Sequence, residues 1–321
     1  MQETTEAFWA VAPGCGEIRR DPLPTPAPDE VAVETLYSGV SRGTESLVFA
    51  GKVPSSQYRT MRAPFQAGDF PFPVKYGYAA VGRVTAGAAG LLGRLVFCLH
   101  PHQRRFVVRA GAVTVLPEGL PPRRAVLAAN AETALNALWD APPLLGDRIA
   151  VIGAGTVGCL IARLAAGVPG ARVTLVDSDP GKARIAAALH LPFATPEDAP
   201  GDCELVVEAT GNPAALAAAL PLAATEGTIL AVSWYGDRPV TLPLGEAFHS
   251  RRLRIISSQV GLVSHRRRDR HSHSDRMALA LRLLTDPLFD RLIDGESEFA
   301  DLPRTLPALA EGGALCHVVR Y

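Results

Sequence analysis

The chain has 321 residues, beyond the length at which one hydrophobic core stops growing, so two domains are expected. Its 48% hydrophobic and 20% charged residues suit a globular protein and exclude a disordered one. Thirty-two basic residues balance thirty-two acidic ones. No global field therefore draws in nucleic acid or an anionic membrane, and neither is expected as a partner.

The five cysteines form no C-x-x-C pair and are odd in number, which fits a reduced cytoplasm better than a disulfide framework. The opening segment MQETTEAFWAVAPG has no basic stretch ahead of an apolar run, so it does not read as a signal peptide. The Ala/Leu-rich segments are interrupted by Arg, Pro or Asp, and none reads as a membrane span. A cytoplasmic location is the expectation.

From Glu30 to about Arg109, short β-branched runs (VAVETLYSGV, AAVGRV, RLVFCLH, RRFVVRA) alternate with Gly and Pro clusters, the texture of a small β-rich domain. Between them, KVPSSQYRTMRAPFQAGDFPFPVKYG reads as an irregular, aromatic-bearing loop able to line a substrate cleft. AVLAANAETALNALWDA has apolar positions at helical spacing, and PPLLGD after it reads as a turn, which puts a domain boundary near Pro142. Then come the strand RIAVIGAG, the helix TVGCLIARLAAG, the strand ARVTLVDSD and the helix PGKARIAAALHL. They are followed by the strand ELVVEATG, the helix PAALAAALPLAA and the strands TILAVSWYG and LRIISSQVG, which together read as βαβ units in a parallel sheet. The basic run His265 to His271 reads as a solvated loop or first helical turn, with an anion site as its alternative. In the tail, DRMALALRLLTDPLF reads as a helix and ALCHVVRY as a last strand.

The glycines of Gly153-Ala154-Gly155-Thr156-Val157-Gly158 follow an apolar strand and open an apolar helix, the context that a dinucleotide-binding loop needs. Gly153 permits the tight turn, Gly155 lets backbone approach a pyrophosphate, and Gly158 lets the helix pack on the strand. The phosphates would then sit at a helix N-terminus. Asp177 ends the next strand at the distance expected of an acid that grips the adenosine ribose, with Ser178 and Lys182 beside it. Its charge repels a 2′-phosphate, so NAD is favoured over NADP, and Lys182 and Arg184 temper the preference. The loops at Thr210-Gly211-Asn212 and Ser233-Trp234-Tyr235-Gly236 are expected to close over the cofactor, or else to be ordinary turns.

SGVSRGTE, PVKYGYAAVGRV, AANAETALNAL, VIGAGTVG, VVEATGNP and IISSQVG, in this order, resemble the medium-chain dehydrogenase/reductases, over nearly the whole chain. Within that family, SGVSRGTE and SSQVG look most like the bacteriochlorophyllide a dehydrogenase group, which oxidises a hydroxyethyl side chain. The resemblance implies an α/β fold in which a doubly wound Rossmann sheet is inserted in a β-rich GroES-like catalytic domain. The expected segments are 1–141 (catalytic), 142–262 (NAD(P)-binding) and 263–321 (returning to the catalytic domain). It also implies a cleft at the domain junction and a homodimer through the sheet edge near LRIISSQV.

Departures from the family concern its zinc. Where zinc members carry Cys-Gly-Thr-Asp, this chain has Arg42-Gly43-Thr44-Glu45; their Gly-His-Glu becomes Gly77-Tyr78-Ala79; their third ligand falls at Ala129 or Asn130. The four-cysteine lobe is missing, since only Cys98 lies between Val84 and Phe106. No typical tetrahedral ligand set remains, and no zinc is expected. The pairs His100/His102 and His271/His273 lack a visible third ligand and read as solvated surface pairs. A metal-free enzyme needs donors aimed at the substrate oxygen, and Arg42, Thr44 and Tyr78 are the candidates. Arg42 supplies a fixed charge or else an ion pair with Glu45 or Glu132, and Tyr78 shuttles a proton or else packs in the cleft wall. The expected activity is hydride transfer between NAD(P) and a secondary alcohol or ketone on a bulky or apolar small molecule. A quinone or enoyl reductase and a non-catalytic dinucleotide sensor are the alternatives.

Overall fold

The structure, a computed structural model, describes residues 3–312 and 314–321. The chain divides into two compact units: Met1–Ala129 with Met277–Asp286 and Ile293–Tyr321, and Asn130–Arg276 with Pro287–Leu292.

The first unit opens with strands β1 (Thr4–Ala12) and β2 (Cys15–Pro22), an antiparallel hairpin for which the sequence reading assigned no strands. In β2 the residues are GEIRRD-like and none is fully buried, so the apolar alternation that betrays a strand is absent. Strand β3 (Glu30–Val40) buries Val31 and Val33 and leads into helix α1 (Arg42–Phe49). The segment after α1 is mostly irregular, as expected, apart from the two-residue strands β4 (Ala67–Gly68) and β5 (Val74–Lys75). Strands β6 (Ala80–Gly87), β7 (Leu95–Cys98), β8 (Arg105–Arg109) and β9 (Val113–Val115) follow, then helices α2 (Pro122–Ala125) and α3 (Ala128–Asp140). Val31, Val33, Val84, Val96, Phe106 and Val108 form one apolar cluster of this unit. Each such burial contributes about 1.5–3 kcal/mol before entropy is counted.

The second unit strings together β10 (Arg148–Ile152), α4 (Thr156–Ala165), β11 (Arg172–Val176), α5 (Ala183–Ala188), β12 (Phe193–Ala194), β13 (Cys203–Glu208), α6 (Pro213–Ala219), β14 (Ala223–Ala231) and β15 (Arg254–Ser257). All six strands are parallel, in the order β12-β11-β10-β13-β14-β15, the doubly wound arrangement. Ile149, Val151, Val206, Val207 and Leu230 are fully buried, because helices cover both faces of a parallel sheet and leave no side for water. The strand order reverses between β10 and β13, the position at which doubly wound sheets place their ligand crevice.

Helix α3 belongs to this second unit from Asn130 onward, ahead of the composition change near Pro142. Hydrogen bonds account for that: Arg276 reaches Glu132 and Asn136, the Ser264 amide reaches Asn136, and Ser258 reaches Asp140. Helix α7 (His273–Leu283) ends before Pro287, shorter than the tail's periodicity suggested. Strand β16 (Ile293–Glu298), helix α8 (Leu302–Glu311) and strand β17 (Cys316–Arg320) close the chain. In the first unit's larger sheet, β17 pairs antiparallel with β3, with His317 opposite Val40.

Candidate active site

At the end of β10 the chain turns through Gly153 with φ +106°, a conformation that favours glycine, and a Cβ there would lie 2.8 Å from the Ala209 carbonyl oxygen. A Cβ on Gly158 would meet the Gly153 carbonyl oxygen at 1.9 Å, so only glycine lets α4 sit this close to the turn. A Cβ on Gly155, by contrast, would meet nothing within 4 Å. Gly155 caps α4 without a side-chain capping hydrogen bond. Thr156 and Val157 form the first turn behind it. Tightness at Gly153 and Gly158 with open space at Gly155 suits a ligand phosphate lying over the helix N-terminus.

Asp177 follows β11, half-buried, and its Oδ2 accepts the Ala154 amide at 2.7 Å while Oδ1 accepts the Asp179 amide at 2.9 Å. The carboxylate is thereby tied to the glycine turn itself. Ser178 is exposed and Lys182 half-buried in the same loop.

The two loops named from sequence are fastened to each other. The Gly211 amide donates to Ser233 Oγ at 2.8 Å, and Arg238 donates to the Gly211 carbonyl. Beneath them lies Glu208, the fully buried last residue of β13, which accepts from the Thr210 amide at 2.7 Å, from the Thr210 hydroxyl and from the Tyr235 hydroxyl. Burial, and after it the hydrogen bond to Glu208, push the Tyr235 phenol well above its ordinary range, so it stays a donor. The sequence names Tyr235 only as part of its loop and gives no role to Glu208; the available signal is a carboxylate ending the otherwise apolar run LVVE.

In the first unit, α1 begins at Arg42, half-buried, and carries Thr44. Tyr78, in the turn between β5 and β6, lies close enough to Ser41 and Thr44 for their side chains to act on its phenol. The structure thus brings Thr44 beside Tyr78. Burial first, and the charge of Glu45 second, raise the Tyr78 phenol far above its usual value and keep it protonated, while those hydroxyls pull the other way. The carboxylates considered as ion-pair partners of Arg42 are both engaged elsewhere: Glu45 with His102 at 2.9 Å and Glu132 with Arg276 at 3.0 Å. An aromatic file leads from the irregular loop to Tyr78, with ring centroids 5.8 Å apart for Tyr58 and Phe70, 5.8 Å for Phe70 and Tyr76, and 5.9 Å for Tyr76 and Tyr78.

Two readings of histidine are corrected. His100 and His102 are not a solvated pair: they are 5% and 1% exposed. His100 stacks on Phe106, and His102 bonds Ser38 and Glu45, because the turn after β7 folds inward rather than out. His273 is exposed, but His271 lies half-buried against Trp139. The basic residues from His265 to Arg270 are exposed, as the solvated reading expected. Among the described residues no three His, Cys, Asp or Glu side chains converge as a metal site. No helix among them is long and apolar enough to cross a membrane.

The chain matches no protein-family profile. A protein described as a zinc-binding dehydrogenase of Sinorhizobium meliloti 1021, bound to NADP, superposes with a TM-score of 0.80 at 18% identity, each chain covered in full. An alcohol dehydrogenase of Escherichia coli CFT073 complexed with NADH gives 0.80 at 17% identity, with 99% of each chain covered. The fold is that of the alcohol dehydrogenases. A curated relative, 2-desacetyl-2-hydroxyethyl bacteriochlorophyllide A dehydrogenase of Rhodobacter capsulatus, is 28% identical over 243 residues, which is 70% of this chain and 71% of the relative.

Proposed function

We propose that this protein is an NAD(P)-dependent dehydrogenase that interconverts a secondary alcohol and a ketone on a bulky, apolar molecule, without zinc. The glycine turn carries the reading: Gly153 and Gly158 are closed by backbone, Gly155 is open, and Asp177 is bonded into the same turn. The relative named for a hydroxyethyl bacteriochlorophyllide supports a hydroxyethyl group on a large ring as the substrate class. Tyr58 and Tyr78, the half-buried ends of an aromatic file whose middle rings Phe70 and Tyr76 are buried, offer aromatic surface of the matching chemistry.

When bound, the nicotinamide accepts or supplies the hydride. Gly155, Thr156 and Val157 would receive its diphosphate and Asp177 its ribose, with Ser178, Lys182, Thr210, Gly211 and Ser233 around it. Asp177 disfavours a 2′-phosphate, so NAD is the preferred coenzyme. In the reducing direction the substrate oxygen gains negative charge as its carbon gains hydride, and groups that stabilise that oxygen lower the barrier. Arg42 supplies a permanent cation. Tyr78, held protonated, acts as a proton donor rather than as a base at neutral pH, and the Thr44 hydroxyl orients it. Zinc suits these positions poorly: guanidinium at residue 42 does not deprotonate to ligate, and the nearest carboxylate and imidazole, Glu45 and His102, are bonded to each other. A homodimer through β15 belongs to the same proposal, since that strand lies at the edge of its sheet.

Thermal unfolding with NAD and NADP, separately, tests the coenzyme site: binding to the native state raises the melting temperature, more with NAD. Arg42→Ala and Tyr78→Phe should each lower kcat on a hydroxyethyl-bearing aromatic alcohol by about 10²-fold or more with coenzyme affinity intact. No stabilisation by either coenzyme at millimolar concentration, or unchanged turnover in both variants, overturns the proposal.

A further inference from the structure

Three side chains proposed to act on the substrate come from two separate segments, the start of α1 and the turn before β6, and one buried residue touches both. We propose that His102 is a positioning residue that sets the geometry of Arg42, Thr44 and Tyr78 by clamping Glu45 on one side and Gly77 on the other. His102 Nε2 lies 2.9 Å from Glu45 Oε2, and the other oxygen of that carboxylate accepts the Ser41 amide at 2.7 Å, so the pair grips the residue that enters α1. Gly77, directly before Tyr78, has φ +126°, and a Cβ there would stand 3.0 Å from the His102 ring and 3.2 Å from its backbone nitrogen. Any side chain at position 77 would therefore press on the imidazole, and in a backbone conformation that already favours glycine.

The hydrogen bonds fix the proton on the ring. A buried carboxylate is tolerated only when donors surround it, so Nε2 must carry a hydrogen and donate to Glu45. In the neutral imidazole, Nδ1 then accepts from Ser38 Oγ at 2.7 Å, and Ser38 Oγ in turn accepts from the Tyr321 hydroxyl at 2.9 Å. Every donor in the file finds an acceptor: Tyr321 to Ser38, Ser38 to His102, His102 to Glu45. Burial above all, and the nearby Glu45 charge in lesser part, raise the phenols of Tyr76, Tyr78 and Tyr321, so all three stay protonated around this cluster.

This rests on the dehydrogenase proposal, and the test separates the two. His102→Leu keeps bulk without hydrogen bonds, and His102→Gln restores a donor and an acceptor. His102→Leu should lose about 10²-fold in kcat, with the dissociation constant for NAD within twofold of wild type, since displacing catalytic groups costs chemistry rather than coenzyme binding. His102→Gln should recover at least tenfold of that loss. Nitrogen-15 NMR of histidine-labelled wild-type protein, which needs no variant to fold, should show His102 protonated on Nε2; a ring protonated on Nδ1 alone overturns the clamp. Wild-type protein without turnover overturns the dehydrogenase proposal and the catalytic meaning of the clamp together. An active wild type whose His102→Leu variant keeps kcat within threefold overturns this inference alone.

Discussion

His100 shows how a titratable side chain becomes part of an apolar wall. Its ring lies 3.8 Å from that of Phe106, inclined by 9°, and 5.5 Å from that of Phe65. Burial lowers its pKa from 6.5 to about 3, opposed by a hydrogen bond to the Pro101 carbonyl. An unfolded chain protonates this histidine near pH 6.5, while the folded protein resists until about 3. Between those values the unfolded state binds more protons, so stability falls as pH drops, by up to about 1.4 kcal/mol per pH unit. Urea midpoints measured from pH 7 to 4 should therefore fall less steeply for His100→Phe than for wild type. Parallel slopes would show that the ring is solvated in the native state.

At the scale of elements, one strand end governs two loops. Glu208 terminates β13 beside the point where the sheet order reverses, and it binds Thr210 in the next loop and Tyr235 beyond β14. A buried carboxylate with fixed donors is a rigid anchor, because moving either loop strands a charge. Tyr235→Phe removes one donor and leaves the fold of the sheet untouched. Coenzyme binding, read by titration calorimetry, should weaken about tenfold through loosening of the Ser233 and Gly211 loops. An affinity equal to wild type would mean that these loops do not meet the coenzyme.

At the scale of the molecule, thiol chemistry reports how completely the cores close. Burial pushes Cys98, Cys159 and Cys316 up to about 12 and Cys203 up to about 11, whereas Cys15 lies exposed in β2. The reacting species is the thiolate, so native protein should titrate one thiol per chain with a disulfide reagent at pH 8, and all five after denaturation. Rapid reaction of a second thiol in the native protein would contradict the packing of one of these units.

Local pattern determined much of this protein. Glycine spacing after an apolar strand specified the turn at Gly153, since the backbone angle and the close helix approach depend on neighbours within a few residues. Continuous apolar runs likewise specified the parallel strands, because a strand buried on both faces needs no polar side. The hairpin β1–β2 escaped notice, since its second strand buries no residue fully and so carries no alternation. Tertiary structure alone decided the charged interior. Glu45 meets His102 from 57 positions away, and Ser38 meets Tyr321 from 283. A histidine beside proline looks the same in sequence whether it ends in water or against a carboxylate. Only the path of the chain brings the acceptor that makes burial tolerable, and no periodicity encodes a partner that far off.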